Sequence, residues 1–256
     1  MNWPLFLLLL GLGALGLIAV VPYSLTLVGE QLGRSQLGMM AIQFVPQVAM
    51  LAVQIGLGLL LGSRIALGAP VLVGWLGGER VSPGLKALLL PALLGVVAGA
   101  LTLGLDLGVF GPGLAAEYQA AGIALPQNPN PPAWQGLLAA FYGGINEEIL
   151  MRLFLLTLLA WLGSKLSRGA DGSPTPAVLW ASTTLAGLAL GLGHLPAAAA
   201  MGLPLTGLSV SRALVLNASG ILFGWLYWRR GLASAMVAHL STDIVLHVIG
   251  ALVLSL

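Results

Sequence analysis

The chain has no cysteine among its 256 residues. Disulfides, thiolate metal sites and cysteine nucleophiles are therefore excluded. Charge is scarce as well: Asp, Glu, Lys and Arg make up 7% of the sequence, against about 25% in an ordinary soluble domain. The net charge is only +2 and no basic run is interleaved with aromatics, so a nucleic-acid surface has no electrostatic basis. The His-Glu-x-x-His signature of zinc proteases is absent. So are an internal repeat and a matched pair of Gly/Pro-broken helices in two halves, which argues against a transporter with inverted repeats.

What is present is hydrophobicity, at 58% of residues with a mean hydropathy of +1.00. Thirty-six glycines suit close helix-to-helix approach in lipid. Apolar runs of about 18 residues or more are transmembrane candidates. They fall near 4–27, 39–61, 87–110, 134–162, 176–195, 209–228 and 232–255, with a shorter apolar piece at 65–77. Met1 to Val21 lacks a positive start and a small-x-small cleavage site, so it is expected to be a first spanning helix and not a cleaved signal. The fold class expected is all-α: a polytopic membrane protein of seven or eight transmembrane helices enclosing an intramembrane polar cavity. It forms one membrane domain over 1–256, with N-terminal helices at 1–110 of unassigned role and catalytic helices within 134–250.

Two longer connections orient the chain. Gly111 to Pro132 is polar, Pro-rich and free of Lys and Arg, which predicts an outer loop; Gly163 to Pro174 carries Lys165 and Arg168, which predicts a cytoplasmic one. Arg229 and Arg230 agree with that placement, and Arg64, Arg80 and Lys86 agree with it if the 65–77 piece does not cross.

Against this background one cluster stands out. Glu147, Glu148 and Arg152 sit near the middle of the run from Trp134 to Trp161. Ionisable groups at that depth are costly, so they face the protein interior or a wet cavity. Glu148 and Arg152 are four apart, acid before base, and should pair on one helix face. Glu147 lies about 100° further round the helix and needs a partner from elsewhere. The three histidines all lie in the last quarter: His194 near the end of the fifth main run, and His239, Asp243 and His247 as a stripe spaced at four. Glutamate, histidine and aspartate converging in a membrane could build either a metal site or a carboxylate-activated water. Outside this cluster, Asp106 is expected at a solvated helix end and Arg212 as a cap or snorkelling residue. Gln43, Gln47 and Gln54 read as interhelical donors, and Trp225, Tyr227 and Trp228 as an interfacial belt.

The ordered motifs Glu147-Glu148-x-x-x-Arg152, Leu190-x-x-x-His194 and His239-x-x-x-Asp243, with the Gly220–Gly231 run before the last, resemble the CPBP family. Its members are CAAX prenyl endopeptidases and bacteriocin-processing or self-immunity membrane proteins. The resemblance covers about 134–250. It implies a glutamate-dependent intramembrane endopeptidase with Glu147 as general base on a water and His194 helping to orient it. Glu148 and Arg152 would then be structural support, and His239 and Asp243 would bind the developing oxyanion. Two positions depart from the pattern: Leu190 replaces a common phenylalanine, and Asp243 stands where a neutral asparagine is common. An ionised aspartate repels an oxyanion, so Asp243 must be protonated, hold His239, be held in turn by His247, or bind a cation. The last option leaves a zinc-dependent version open, with Glu147, His194, His239 and Asp243 as ligands; the favoured reading has no cofactor.

The remaining alternatives are a rhomboid-type serine protease built on Ser219 and His239, which leaves Glu147 without a role, and a non-catalytic binding or immunity protein or a transporter. Expected partners are membrane lipids and a peptide or protein substrate, membrane-tethered or prenylated, with no nucleic acid. The Ala/Leu/Gly-rich, cysteine-free composition suggests a prokaryotic cytoplasmic membrane, where a prenylated substrate is less expected.

Overall fold

The computed structural model describes residues 1–28, 30–122, 131–170, 172–200 and 203–254. Helices occupy nearly all of them. The first group is α1 (Trp3–Ala19), α2 (Val21–Val28), α3 (Glu30–Gly62), α4 (Pro70–Leu76) and α5 (Val81–Leu105). A π-turn at Asp106–Phe110 leads into α6 (Gly111–Ala120). Next comes one continuous helical rod: α7 (Ala133–Tyr142), wide π-turns at Gly143–Glu147 and Ile149–Leu156, and α8 (Thr157–Gly163). The remainder is α9 (Pro176–Gly193), α10 (Leu195–Ala200), α11 (Gly207–Leu216), α12 (Ser219–Arg230), α13 (Leu232–Asp243), a π-turn at Ile244–Ile249, and α14 (Gly250–Leu254). Among the described residues there is no strand, only an isolated bridge between Arg168 and Pro174.

Six helical stretches are long and apolar enough to cross a membrane: Trp3–Leu27, Leu37–Gly62, Gly84–Ala120, Pro176–Ala199, Gly207–Arg230 and Leu232–Leu254. The rod from Ala133 to Gly163 has the length to cross as well and carries the Glu147–Arg152 charges. The protein is an all-α, multi-pass membrane protein. The ambiguous piece at 65–77 resolves as the seven-residue α4, too short for the roughly 30 Å hydrocarbon core. The expected outer loop at 111–132 differs from the sequence reading in its first half, which is helical through Ala120 because Gly84–Ala120 continues as one stretch. The polar run Gln127 to Asn130 lies outside the described residues.

α13 is the centre of the assembly. It packs on α5, α12 and the α7 rod, and Leu232, Ala235 and Ala238 on it have no exposed surface. Small residues make this contact possible: a Cβ on Gly95 of α5 would collide with the backbone of Ala238, and one on Gly144 would press on Leu240. Gly231, at φ 88°, reverses the chain between α12 and α13 in a region that favours glycine. It lets Leu232 N–H donate to the Gly68 carbonyl at 2.9 Å, so the short α4 region braces this turn. Outward-facing Leu89, Leu101 and Ile42 are exposed and meet lipid.

Gly95→Leu should push α13 off α5 and destabilise the protein by about 1–3 kcal/mol, the usual cost of overpacking. Leu89→Ala, on the lipid face, should change stability by less than about 0.5 kcal/mol. Unfolding followed in detergent micelles checks both.

Candidate active site

The site is built where the α7 rod crosses α13. Glu148 and Arg152 both have side chains with no exposed surface, and Arg152 Nη1 lies 2.8 Å from Glu148 Oε1. The pairing expected from the four-residue spacing is present. Arg152 Nη2 also donates to the Gly220 carbonyl at 2.8 Å, which ties the rod to α12. The guanidinium carbon sits 5.4 Å from the centre of the Phe223 ring, and that ring stacks on His239 with centroids 4.7 Å apart and planes at 21°. The backbone of Arg152 is held too: Thr157 donates to its carbonyl at 3.0 Å, so the Tyr227 hydroxyl, 2.7 Å from Thr157 Oγ1, donates to Thr157.

The same carboxylate oxygen holds His239. His239 Nδ1 donates to Glu148 Oε1 at 2.7 Å. That bond fixes the imidazole, leaving Nε2 toward the other two acids: 3.8 Å from Glu147 Oε2 and 3.5 Å from Asp243 Oδ2. These separations are too long for direct hydrogen bonds. Glu147 is partly open, with 23% of its side chain exposed. Asp243 reaches this place because Gly143 has no side chain; a Cβ there would strike Asp243 Oδ2 and press on His239 Nε2. Gly143, Glu147 and Glu148 all lie in or beside the π-turns, an irregularity frequent at functional sites.

The structure thus brings Glu147, Glu148, Arg152, His239 and Asp243 together. His194 stands apart. It is exposed at the end of α9, its Nδ1 donates to the Leu190 carbonyl at 2.8 Å, and it forms no hydrogen bond or ion pair with Glu147. His247 departs from its expected role of holding Asp243: its Nδ1 lies 3.2 Å from the Tyr23 hydroxyl, with the two rings edge to face. α2 reaches that end of α13, one turn beyond Asp243, and intercepts the ring. Among the described residues no three His, Asp or Glu side chains are grouped to hold a metal ion.

Two residues beside the cluster carry no charge, so sequence reasoning overlooked them. Asn146 is buried at 7% exposure and donates to the Gly13 carbonyl at 2.9 Å, where Gly16 leaves room for its amide. Its only signal was a lone amide beside Glu147. Tyr23 gave none. Other expectations are corrected by packing. Tyr227 is 1% exposed and hydrogen-bonded inside the bundle, not part of an interfacial belt. Gln43 and Gln47 bond to each other at 3.4 Å along α3 and do not cross to another helix. Asp106 and Arg212 pair with each other. The expected polar cavity also needs refining: a cavity of about 470 Å³ opens between α1, α7 and α13, but its lining is apolar, including Leu15, Leu137, Phe141, Leu240 and Ile244. Its lining residues Leu240 and Ile244 directly follow His239 and Asp243 in the chain.

Arg152→Met should leave Glu148 buried without its cation and destabilise the protein by about 3–5 kcal/mol. Adding Glu148→Gln should recover part of that loss, since the carboxylate stripped of its guanidinium is then gone. Denaturant unfolding of both variants in micelles provides the measurement.

No curated protein and no solved structure matches the chain. A family model does: that of the Rce1-like family, described as type II CAAX prenyl endopeptidase, over residues 129–245. The match begins just before the rod and ends two residues past Asp243, so it spans the Glu147-Glu148-x-x-x-Arg152, His194 and His239-x-x-x-Asp243 motifs in order. By its motifs and by this match, the stretch 129–245 is similar to the Rce1-like family, described as type II CAAX prenyl endopeptidase.

Proposed function

We propose that the protein is an intramembrane endopeptidase that hydrolyses a peptide bond near the membrane, using a water activated by Glu147 and without a metal ion. The observation that carries this reading is the arrangement around His239 Nε2, which faces one partly open carboxylate, Glu147, and one aspartate wedged against Gly143. In a glutamate-dependent hydrolysis, Glu147 accepts a proton from the attacking water. The water oxygen bonds to the scissile carbonyl carbon, and the proton passes on to the leaving amine. His239, as an imidazolium anchored through Nδ1 to Glu148, donates Nε2–H to the oxygen that becomes negative. Such preorganised donors contribute roughly 2.7–4 kcal/mol each in other hydrolases.

Asp243 fits this chemistry as a neutral acid whose O–H donates beside His239. An ionised carboxylate would oppose the developing charge, and an asparagine would serve as well. His194 joins by turning its free Nε2 toward the water when substrate is bound; catalytic hydrogen bonds are often loose in an empty site and tighten in the complex. Glu148 is the orienting acid of His239 as well as the partner of Arg152. The substrate class follows from the family description: a protein or peptide held at the membrane, with a C-terminal Cys-a-a-X peptide as the first probe. The membrane itself is read as a prokaryotic cytoplasmic membrane.

The test uses the purified full chain in liposomes and two quenched fluorescent peptides, one a farnesylated Cys-a-a-X peptide and one anchored by an apolar helix. Glu147→Gln should lower kcat at least a thousandfold, and His194→Ala about a hundredfold, with the fold retained. Asp243→Asn should keep activity within about threefold, whereas Asp243→Ala should lose it. A strong chelator should have no effect. Full activity of Glu147→Gln would overturn the hydrolase reading in favour of a binding or immunity role. Inactivity of Asp243→Asn together with chelator sensitivity would replace the metal-free mechanism by a zinc-dependent one.

A further inference from the structure

Asp106 and Arg212 are 106 positions apart and meet in a two-pronged ion pair, with Nε 2.7 Å from Oδ1 and Nη2 2.6 Å from Oδ2. This fork-to-carboxylate geometry is directional as well as strong. Two more bonds run beside it: the Thr206 hydroxyl donates to Glu117 Oε2 at 3.1 Å, and the Tyr118 hydroxyl donates to the Pro204 carbonyl at 3.1 Å. All three join the arm 106–120 to the segment 204–212. None touches the Glu147–His239 cluster.

The clamped segment nevertheless leads to His194 from both sides. The His194 carbonyl accepts Ala198 N–H at 3.1 Å, and the Ala198 carbonyl accepts Leu203 N–H at 3.0 Å, one residue before Pro204. From the other side, Ala213 and Leu214, next to Arg212, back directly onto Gly191. Gly191 lies three residues before His194 and adjoins Leu190, whose carbonyl holds the His194 ring. His194 sits at an exposed helix end, and among the described residues its side chain makes only that one bond. Its orientation therefore depends on where the α9–α11 connection is held.

The geometry points to Asp106 and Arg212 as positioning residues for the reaction: their ion pair fixes the α9–α11 connection and thereby the direction in which His194 presents its imidazole. This rests on the reading above in which His194 takes part in hydrolysis. It gives the arm 106–120, all of which lies before the family-matched stretch, a part in the chemistry without any contact with substrate.

The experiment compares Asp106→Asn, Arg212→Gln and their combination, each in the unaltered and the His194→Ala chain, with the farnesylated peptide in liposomes. Each single variant should lower kcat about tenfold with KM within twofold. The combination should be no worse than either, because both remove one interaction. In the His194→Ala background Asp106→Asn should change kcat by less than twofold. A second measurement needs no substrate: the chain has three histidines, so their imidazole NMR signals can be followed singly in micelles. Asp106→Asn should move the signal of His194 and leave those of His239 and His247 in place. An unmoved His194 signal, or the same tenfold loss in both backgrounds, overturns the positioning role and leaves the hydrolase reading standing. Unchanged activity of His194→Ala overturns the positioning role together with the part given to His194 in the hydrolysis, whereas only full activity of Glu147→Gln overturns the hydrolase reading itself.

Discussion

A guanidinium buried at the middle of a membrane helix has to be matched, and nearly everything in the site follows from how Arg152 is matched. Desolvating an ion costs several kcal/mol, and a lone buried charge costs far more than a paired one. Glu148 supplies the compensating charge from one turn earlier, at 2.8 Å. The pair remains incompletely satisfied, since Glu148 Oε2 and Arg152 Nε are buried without hydrogen-bond partners. The remaining contacts are therefore structural commitments: Arg152 must reach the Gly220 carbonyl, and Glu148 Oε1 must receive His239. One ion pair on the rod thus fixes α12 and α13 relative to it, and the Phe223 ring between Arg152 and His239 completes the stack.

With Nδ1 of His239 committed, its other nitrogen has a determined direction, and the two remaining acids are set around it. Their placement depends on steric absence as much as on attraction. Gly143 lets the Asp243 carboxylate lie against the backbone of the rod, and Gly95 and Gly144 let α13 come close enough for that to happen. In lipid, where apolar surface gains little by leaving its surroundings, close backbone approach is what holds helices together. The same glycines that stabilise the bundle therefore set the dimensions of the site.

The N-terminal helices contribute more than bulk. Gly13 of α1 accepts from Asn146, the residue before Glu147. Gly58 of α3 lies against the Leu153 backbone, one residue past Arg152, and Tyr23 of α2 holds His247. The family match starts at residue 129, so these supports belong to helices that the motifs do not describe. Their sequences carry little sign of the role because a glycine carbonyl or a small-residue groove can be supplied by many apolar helices.

The sequence by itself determined the all-helical membrane class, the Glu148–Arg152 pair and the helices that bear the acids and histidines. Each is local: hydropathy acts within one segment, and a four-residue spacing places two side chains on one face wherever the helix ends up. The tertiary structure decided which of those helices meet and which face of each turns inward. It joined Glu148 to His239, Asp106 to Arg212 and Tyr23 to His247, and it left His194 at an open helix end. Those partners are 91, 106 and 224 positions apart. No periodicity reaches over such distances, and only the packing of glycine against backbone, summed over the whole bundle, selects among the possible neighbours.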